Sequence, residues 1–146
     1  MAKISSIEAF EANVPLPEPI AVGSTVLKAR TYTIVRVRCA DGLEGIGYSY
    51  SRGLPIREIV LNMISSVVIG KEIEKSEEIR ADVLATYWHS AEHGTFTAAV
   101  SAVDIAIWDA LGKMQINQLH RFLVKNIIPC PSLMWLVIST EMMNPD

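Results

Sequence analysis

From Thr97 to Lys113 the chain reads TAAVSAVDIAIWDALGK, and its apolar residues do not form one stripe. On a helix, Ala99, Val103, Ala106 and Ala110 lie along one side, while Val100, Ile107, Trp108 and Leu111 continue round to the other. A helix apolar over most of its circumference is buried on more than one side. Gly94 and Thr95 precede it as a break and an N-cap, and Gly112 stands where a residue able to take φ > 0 ends a helix. What comes before reads as one small domain. The pattern therefore predicts a second covering layer from beyond this helix, where little chain remains.

Upstream, the period is two. Ile4 to Val14 reads as a strand, ended by Pro15, Pro17 and Pro19. The segment from Pro15 to Arg30, PLPEPIAVGSTVLKAR, reads as neither helix nor strand; connections this long are usually lids or linkers. Thr31 to Ala40 alternates Val35, Val37 and Cys39 with Arg36 and Arg38, Asp41-Gly42 is a hairpin signal, and Leu43 to Tyr50 returns with Ile46, Tyr48 and Tyr50 on one side. Three antiparallel strands in a meander are expected.

After Ser51 to Leu54 the period becomes 3.6. Pro55 suits a first helical residue and Gly70 a stop, with Ile56, Ile59, Val60, Met63, Ile64, Val67 and Val68 on one face. Ser76, followed by Glu77 and Glu78, reads as the N-cap of a next helix that buries Ile79, Val83, Leu84, Tyr87, Trp88 and Ala91. Past Asn117 a short helical turn would hold Leu119, Phe122 and Leu123. Strands followed by helices predict an α+β fold, a three-stranded antiparallel meander with a helical bundle packed on it.

Composition narrows the function. Of 146 residues half are apolar and 20% charged, and the mean hydropathy of +0.28 is high for one small domain. A net charge of −3 and no Lys/Arg cluster argue against nucleic acid or an anionic membrane as partner. The apolar run from Ile127 to Ile138 holds two prolines and falls short of the roughly 20 residues a membrane span needs. Cys39 and Cys130 lack metal-type spacing, and MAKISSIEAFEA is not a basic start followed by an apolar run. These features predict a reduced, cytoplasmic protein.

The order of strand, NVPL, long loop, strand, Asp-Gly hairpin, LEGIGY, helices and then Ser101 to Lys113, SAVDIAIWDALGK, resembles the N-terminal capping domain of the mandelate racemase and muconate lactonizing enzyme family, within the enolase superfamily. The resemblance covers residues 1–125. It implies a domain that closes over the mouth of a following β/α barrel, with the apolar helix wedged between the two. It also implies Mg²⁺-dependent proton abstraction α to a carboxylate, by a racemase, cycloisomerase or acid-sugar dehydratase whose bases and metal ligands come from barrel strand ends. No Lys-x-Lys occurs in the chain, and beyond Lys113 the acids are Glu141 and Asp146. No catalytic residue, metal ligand or cofactor is therefore assigned to the chain itself, and Mg²⁺ is expected only of the intact enzyme.

What the resemblance carries over is a lid. Its loops place Ile20, Val22 and Ser24 with Tyr50 and Arg52 over a carboxylate substrate with an apolar or hydroxylated body. The plain alternative is that Ile20 and Val22 cover the sheet edge and Arg52 is a solvated loop residue.

Other candidates read as structure. His89-Ser90-Ala91-Glu92-His93 has H-x-x-E-H spacing, yet zinc needs a third protein ligand, and a frayed helix end with exposed histidines is the simpler reading. Asp104 and Asp109, five apart, share no helical face. Asp109 is placed to pair with Lys113, and Asp104 to accept hydrogen bonds in the core. Trp108 reads as core or interface. Residues 126–146 read as the start of a truncated barrel, with Ile128 to Ser139 as its first strand, or as an aberrant tail. Two functions stand: the capping portion of such an enzyme, inactive alone, or a stand-alone module. Either would associate through the apolar surface that a barrel otherwise covers.

Overall fold

The computed structural model describes residues 1–90 and 94–114. Three strands, β1 (Ile4–Val22), β2 (Thr25–Cys39) and β3 (Glu44–Tyr50), form an antiparallel meander in the order β1-β2-β3. Among the described residues four α-helical segments follow, with 3-10 and π-helical turns between them: α1 (Ile56–Ile59), α2 (Ser65–Val68), α3 (Ser76–Thr86) and α4 (Thr95–Met114). The α+β class and the meander are as the sequence predicts.

The segment expected to be an irregular loop is a hairpin arm. β1 continues through the prolines to Val22, and Ile20↔Leu27, Ala21↔Val26 and Val22↔Thr25 pair around a turn in which Gly23 has φ +59°. Prolines are tolerated because β1 is an edge strand, and Pro17 and Pro19 fall where the register breaks between Pro15 and Ile20. There, four residues of β1 oppose Lys28 alone, so no ladder bond needs the missing N–H groups.

α1, the π-helical turn Val60–Ile64 and α2 run on as one helix. The wide turn frees carbonyls that side chains then take up: Met63 C=O accepts the Ser66 hydroxyl at 2.8 Å and the Tyr87 phenol at 3.1 Å. Ile56, Val60, Ile64 and Val68 are fully buried from this helix against the sheet's Ile7, Val35 and Val37. Lys75, not Ser76, holds the cap position of α3; Ser76 is itself buried and makes no side-chain cap. Trp88, expected inside, is 64% exposed, because the helix ends at Thr86 and the 3-10 turn Trp88–Ser90 turns it outward.

α4 crosses the inner face of the sheet. Ala102, Ala106 and Ala110 lie against Gly45 and Gly47 of β3 at backbone contact distance, while Val100, Val103 and Ile107 face α2 and α3. Its two apolar sides are thus covered largely from within the domain, by the sheet and by the helices, leaving Ser101 and Ile105 as an exposed strip. This corrects the expectation that the second covering layer must come from elsewhere: the meander already supplies one of the two. Gly112 does not end the helix, which runs to Met114 with Gly112 buried inside it. At 20 residues α4 is also long and apolar enough to cross a membrane, but just over half of its apolar window is buried in the domain.

Both sheet edges are covered in part. On β3, the Ile46 N–H donates to Asp109 Oδ2 at 2.8 Å, and Lys113 Nζ bonds the same oxygen at 2.6 Å and the Glu44 carbonyl at 3.2 Å. On β1, Ile4 exchanges backbone bonds with Gly70 and Lys71, and Arg57 Nε donates to the Ala9 carbonyl at 3.2 Å. Covered edges cannot pair with another chain. The expected helical turn at Leu119, Phe122 and Leu123 and the strand from Ile128 to Ser139 lie outside the described residues.

Candidate functional site

The arm and the end of β3 enclose an open groove of about 440 Å³, lined by Val22, Leu27, Ala29, Thr31, Tyr50 and Arg52. Cross-strand partners share a face, so Ile20, opposite Leu27, stands on the same side of the arm as Val22. Ser24 lies in the exposed turn at the tip. Of the five residues singled out from sequence, Val22, Tyr50 and Arg52 line one groove, Ile20 flanks it, and Ser24 stands apart.

The wall opposite the arm is tightly held. Ser51 is fully buried, and both its hydroxyl and its N–H donate to the Thr31 carbonyl, at 2.9 and 3.0 Å. Leu54 N–H closes the following turn onto the Ser51 carbonyl at 2.7 Å, with φ +51° at Arg52 and +76° at Gly53. Arg52 is the one non-glycine residue with positive φ among the described residues. Its guanidinium carbon lies 5.2 Å from the centre of the Tyr50 ring, within cation–π range. The Tyr50 ring in turn packs on Tyr32, centroids 5.4 Å apart. A cation, a phenol and apolar walls suit an anionic ligand with a partly apolar or hydroxylated body.

Leu27, Ala29 and Thr31 were not picked out by sequence reasoning, although they alternate with Lys28 and Arg30 at the strand period. That alternation was the available signal, and the neighbouring prolines obscured it.

A second groove of about 360 Å³ runs between α3 and α4, lined by Glu77, Arg80, Ala81, Leu84, Asp104 and Trp108. Burial pushes the Asp104 carboxyl above its usual range, against the opposing pull of Arg80 and a hydrogen bond from the Trp108 side chain. Asp104 thus accepts a hydrogen bond, as expected, but it does so half-buried on the groove wall rather than within the core. Asp109 pairs with Lys113, also as expected, and in addition holds the β3 edge. On the outer sheet face Glu8, Arg36, Arg38 and Glu44 form an ion ladder, and the Arg36 hydrogen bond holds the Glu8 carboxyl low. Burial pushes the Cys39 thiol up to about 11, which keeps it protonated and unreactive.

His89 is exposed in the 3-10 turn with its ring against Trp88. Glu92 and His93 of the H-x-x-E-H run lie outside the described residues. Among the described residues no three His, Cys, Asp or Glu side chains gather closely enough to hold a metal ion.

Comparison with known proteins bears on this geometry. Residues 5–123 match the family model for the mandelate racemase / muconate lactonizing enzyme N-terminal domain. The chain is 32% identical over 81 residues to the 3,6-anhydro-alpha-L-galactonate cycloisomerase of Streptomyces coelicolor, covering 53% of the chain and 22% of that protein. It is 27% identical over 111 residues to the D-galactarolactone cycloisomerase of Agrobacterium fabrum, covering 76% and 29%. Its fold superimposes on L-talarate dehydratase of Polaromonas sp. JS666, solved with Mg and L-glucarate, with a TM-score of 0.76 at 21% identity over 84% of this chain and 35% of that one. The chain therefore spans between about a fifth and a third of the length of these relatives.

Proposed function

Because the chain belongs to the mandelate racemase / muconate lactonizing enzyme family through its N-terminal domain, we propose that residues 1–125 are the substrate-capping portion of a cytoplasmic enzyme acting on acid sugars. In this reading the intact enzyme removes a proton α to a carboxylate, as an acid-sugar dehydratase or cycloisomerase. Both activities are named among the relatives, the dehydratases including L-talarate/galactarate dehydratase. The observation that carries the capping role is the convergence of Val22, Tyr50 and Arg52 on one groove from two separate segments of chain. Arg52 would meet the substrate carboxylate, Tyr50 a hydroxyl, and Ile20 and Val22 the carbon chain.

The described residues do not offer the donor set that Mg²⁺ needs. Mg²⁺, the bases and the reacting centre therefore belong, in this proposal, to a barrel that residues 126–146 would begin. Alone, this chain covers but does not catalyse.

A second reading, an assembly module that associates with a second copy or another protein, has one observation in its favour. Phe10, Ile46 and Tyr48 are exposed together on the outer face of the sheet.

The test is to sequence the coding DNA past the Asp146 codon and assay the longer product on aldonates and aldarates with Mg²⁺. Turnover, with a KM raised at least tenfold by Arg52→Ala, supports the capping role. A stop codon with no barrel, and self-association of the chain abolished by Tyr48→Glu, would replace it with the second reading.

A further inference from the structure

Arginine is a poor choice for a left-handed position. L side chains other than Asn and Asp crowd their own backbone there, and residues held in that region persist only where surrounding bonds over-determine them. Gly53, next in the same turn, shows the residue that the conformation prefers. At Arg52 the strain is accepted, and the side chain it carries is the cation that lines the groove.

What over-determines the turn is Ser51. Its side chain is fully buried, is not among the groove-lining residues, and uses its hydroxyl together with its own N–H to grip one carbonyl, that of Thr31. Thr31 is itself a wall of the groove, so the grip ties Arg52's turn directly to the strand it faces. On the far side Leu54 N–H returns to the Ser51 carbonyl, and Ile56 N–H to that of Leu54, which leads into α1. The turn is clamped at both ends.

We infer that Ser51 is a positioning residue: it holds Arg52 in the left-handed conformation that presents its guanidinium, stacked on Tyr50, to an anionic ligand in the groove. The inference deepens the proposed function and rests on the groove taking a carboxylate. The opposite wall is the arm tip, joined to the rest of the sheet across a register break. The groove thus has one fixed, charged wall and one built on three cross-strand pairs.

The test uses the 146-residue chain, labelled with ¹⁵N and ¹³C, and galactarate alone as the probe. In the wild type a strong intraresidue amide–Hα NOE should report positive φ at Arg52, and galactarate should shift the Arg52 Nε–H saturably. Ser51→Ala should move Arg52 to negative φ, remove the Tyr50 ring-current shift on its side chain, and weaken the galactarate response at least tenfold. Ser51→Thr, which restores the hydroxyl, should recover all three. If Ser51→Ala does not fold, Ser51→Cys, nearly isosteric with a weaker donor, should give the intermediate case. Arg52→Gly should keep the turn, raise the melting temperature and lose the galactarate response. A folded Ser51→Ala chain with the Arg52 intraresidue NOE and ring shift unchanged would overturn the positioning role. A wild type with the expected Arg52 geometry but no response to galactarate would instead refute the carboxylate groove on which the inference rests.

Discussion

Gly45 of β3 and Ala106 of α4 approach so closely that a Cβ on Gly45 would lie 1.9 Å from the Ala106 carbonyl oxygen and 2.7 Å from the Ala110 nitrogen. Both clashes are with backbone, so no side-chain rotation relieves them. Gly45→Ala must lift α4 off the sheet and should cost ~3 kcal/mol or more, at or above the upper end of ordinary overpacking. Urea unfolding measures this, and a loss below about 1 kcal/mol would mean that the helix does not sit where described.

Asp109 joins the same two elements by a different force. Its Oδ2 accepts from Ile46 N–H at the sheet edge and from Lys113. Asp109→Ala removes the acceptor and bares an edge donor, so a loss of about 1–3 kcal/mol is expected. Light scattering should also detect new self-association, because an open strand edge is a template for pairing. A variant as stable and as monodisperse as the wild type would count against Asp109 covering the β3 edge.

Thr33 is fully buried in β2, and its hydroxyl has no hydrogen-bond partner among the described residues. Thr33→Val keeps the shape and removes the orphaned group, and should stabilise the domain by ~1 kcal/mol. A thermal melt shifted upward by a few degrees is the expected sign. A downward shift would reveal a partner for that hydroxyl.

Asp104 gives a pH dependence whose sign can be worked out. Its folded carboxyl is raised by burial, so the folded chain binds that proton more tightly than the unfolded one. Its contribution is therefore most favourable below the unfolded value, about pH 4, and is lost as pH rises through the raised folded value. Asp104→Asn should remove this slope. The stability of the variant relative to wild type should rise with pH from about 4 and then level off, as followed by urea midpoints across that range. A relative stability that falls with pH would show that Arg80 and the Trp108 hydrogen bond outweigh burial.

The arm should open before the sheet does. Its tip holds three cross-strand pairs beyond the register break, and so short a hairpin is marginal by itself. Amides at Thr25 to Leu27 should exchange with solvent at least a hundredfold faster than those of Val35 and Val37. Equal protection would make the arm one rigid unit.

Much of the fold was legible because it depends on local pattern. Alternation at Val35, Val37 and Cys39, the Asp-Gly turn and the 3.6 period after Pro55 each report one element's buried face, and burial acts on every residue of that face at once. The family resemblance was legible for the same reason, since it was carried by the order of such elements and most specifically by the continuous run from Ser101 to Lys113. The arm was misread because prolines argue against a strand only where an N–H must pair, and whether it must depends on which strand lies at the edge. That is a property of the sheet.

The same limit explains the site. Sequence determined the residue types in the two loops, and hence that a cation, a phenol and apolar groups were available. Tertiary structure decided that Val22, Tyr50 and Arg52 share a groove while Ser24 does not, and that Leu27, Ala29 and Thr31 complete its lining. It also decided that the second side of α4 is covered by the meander, through two glycines whose missing side chains leave room for a helix. The physical reason is that periodicity records whether a residue is buried, whereas contact between residues dozens apart depends on register, twist and close approach, which no local window contains.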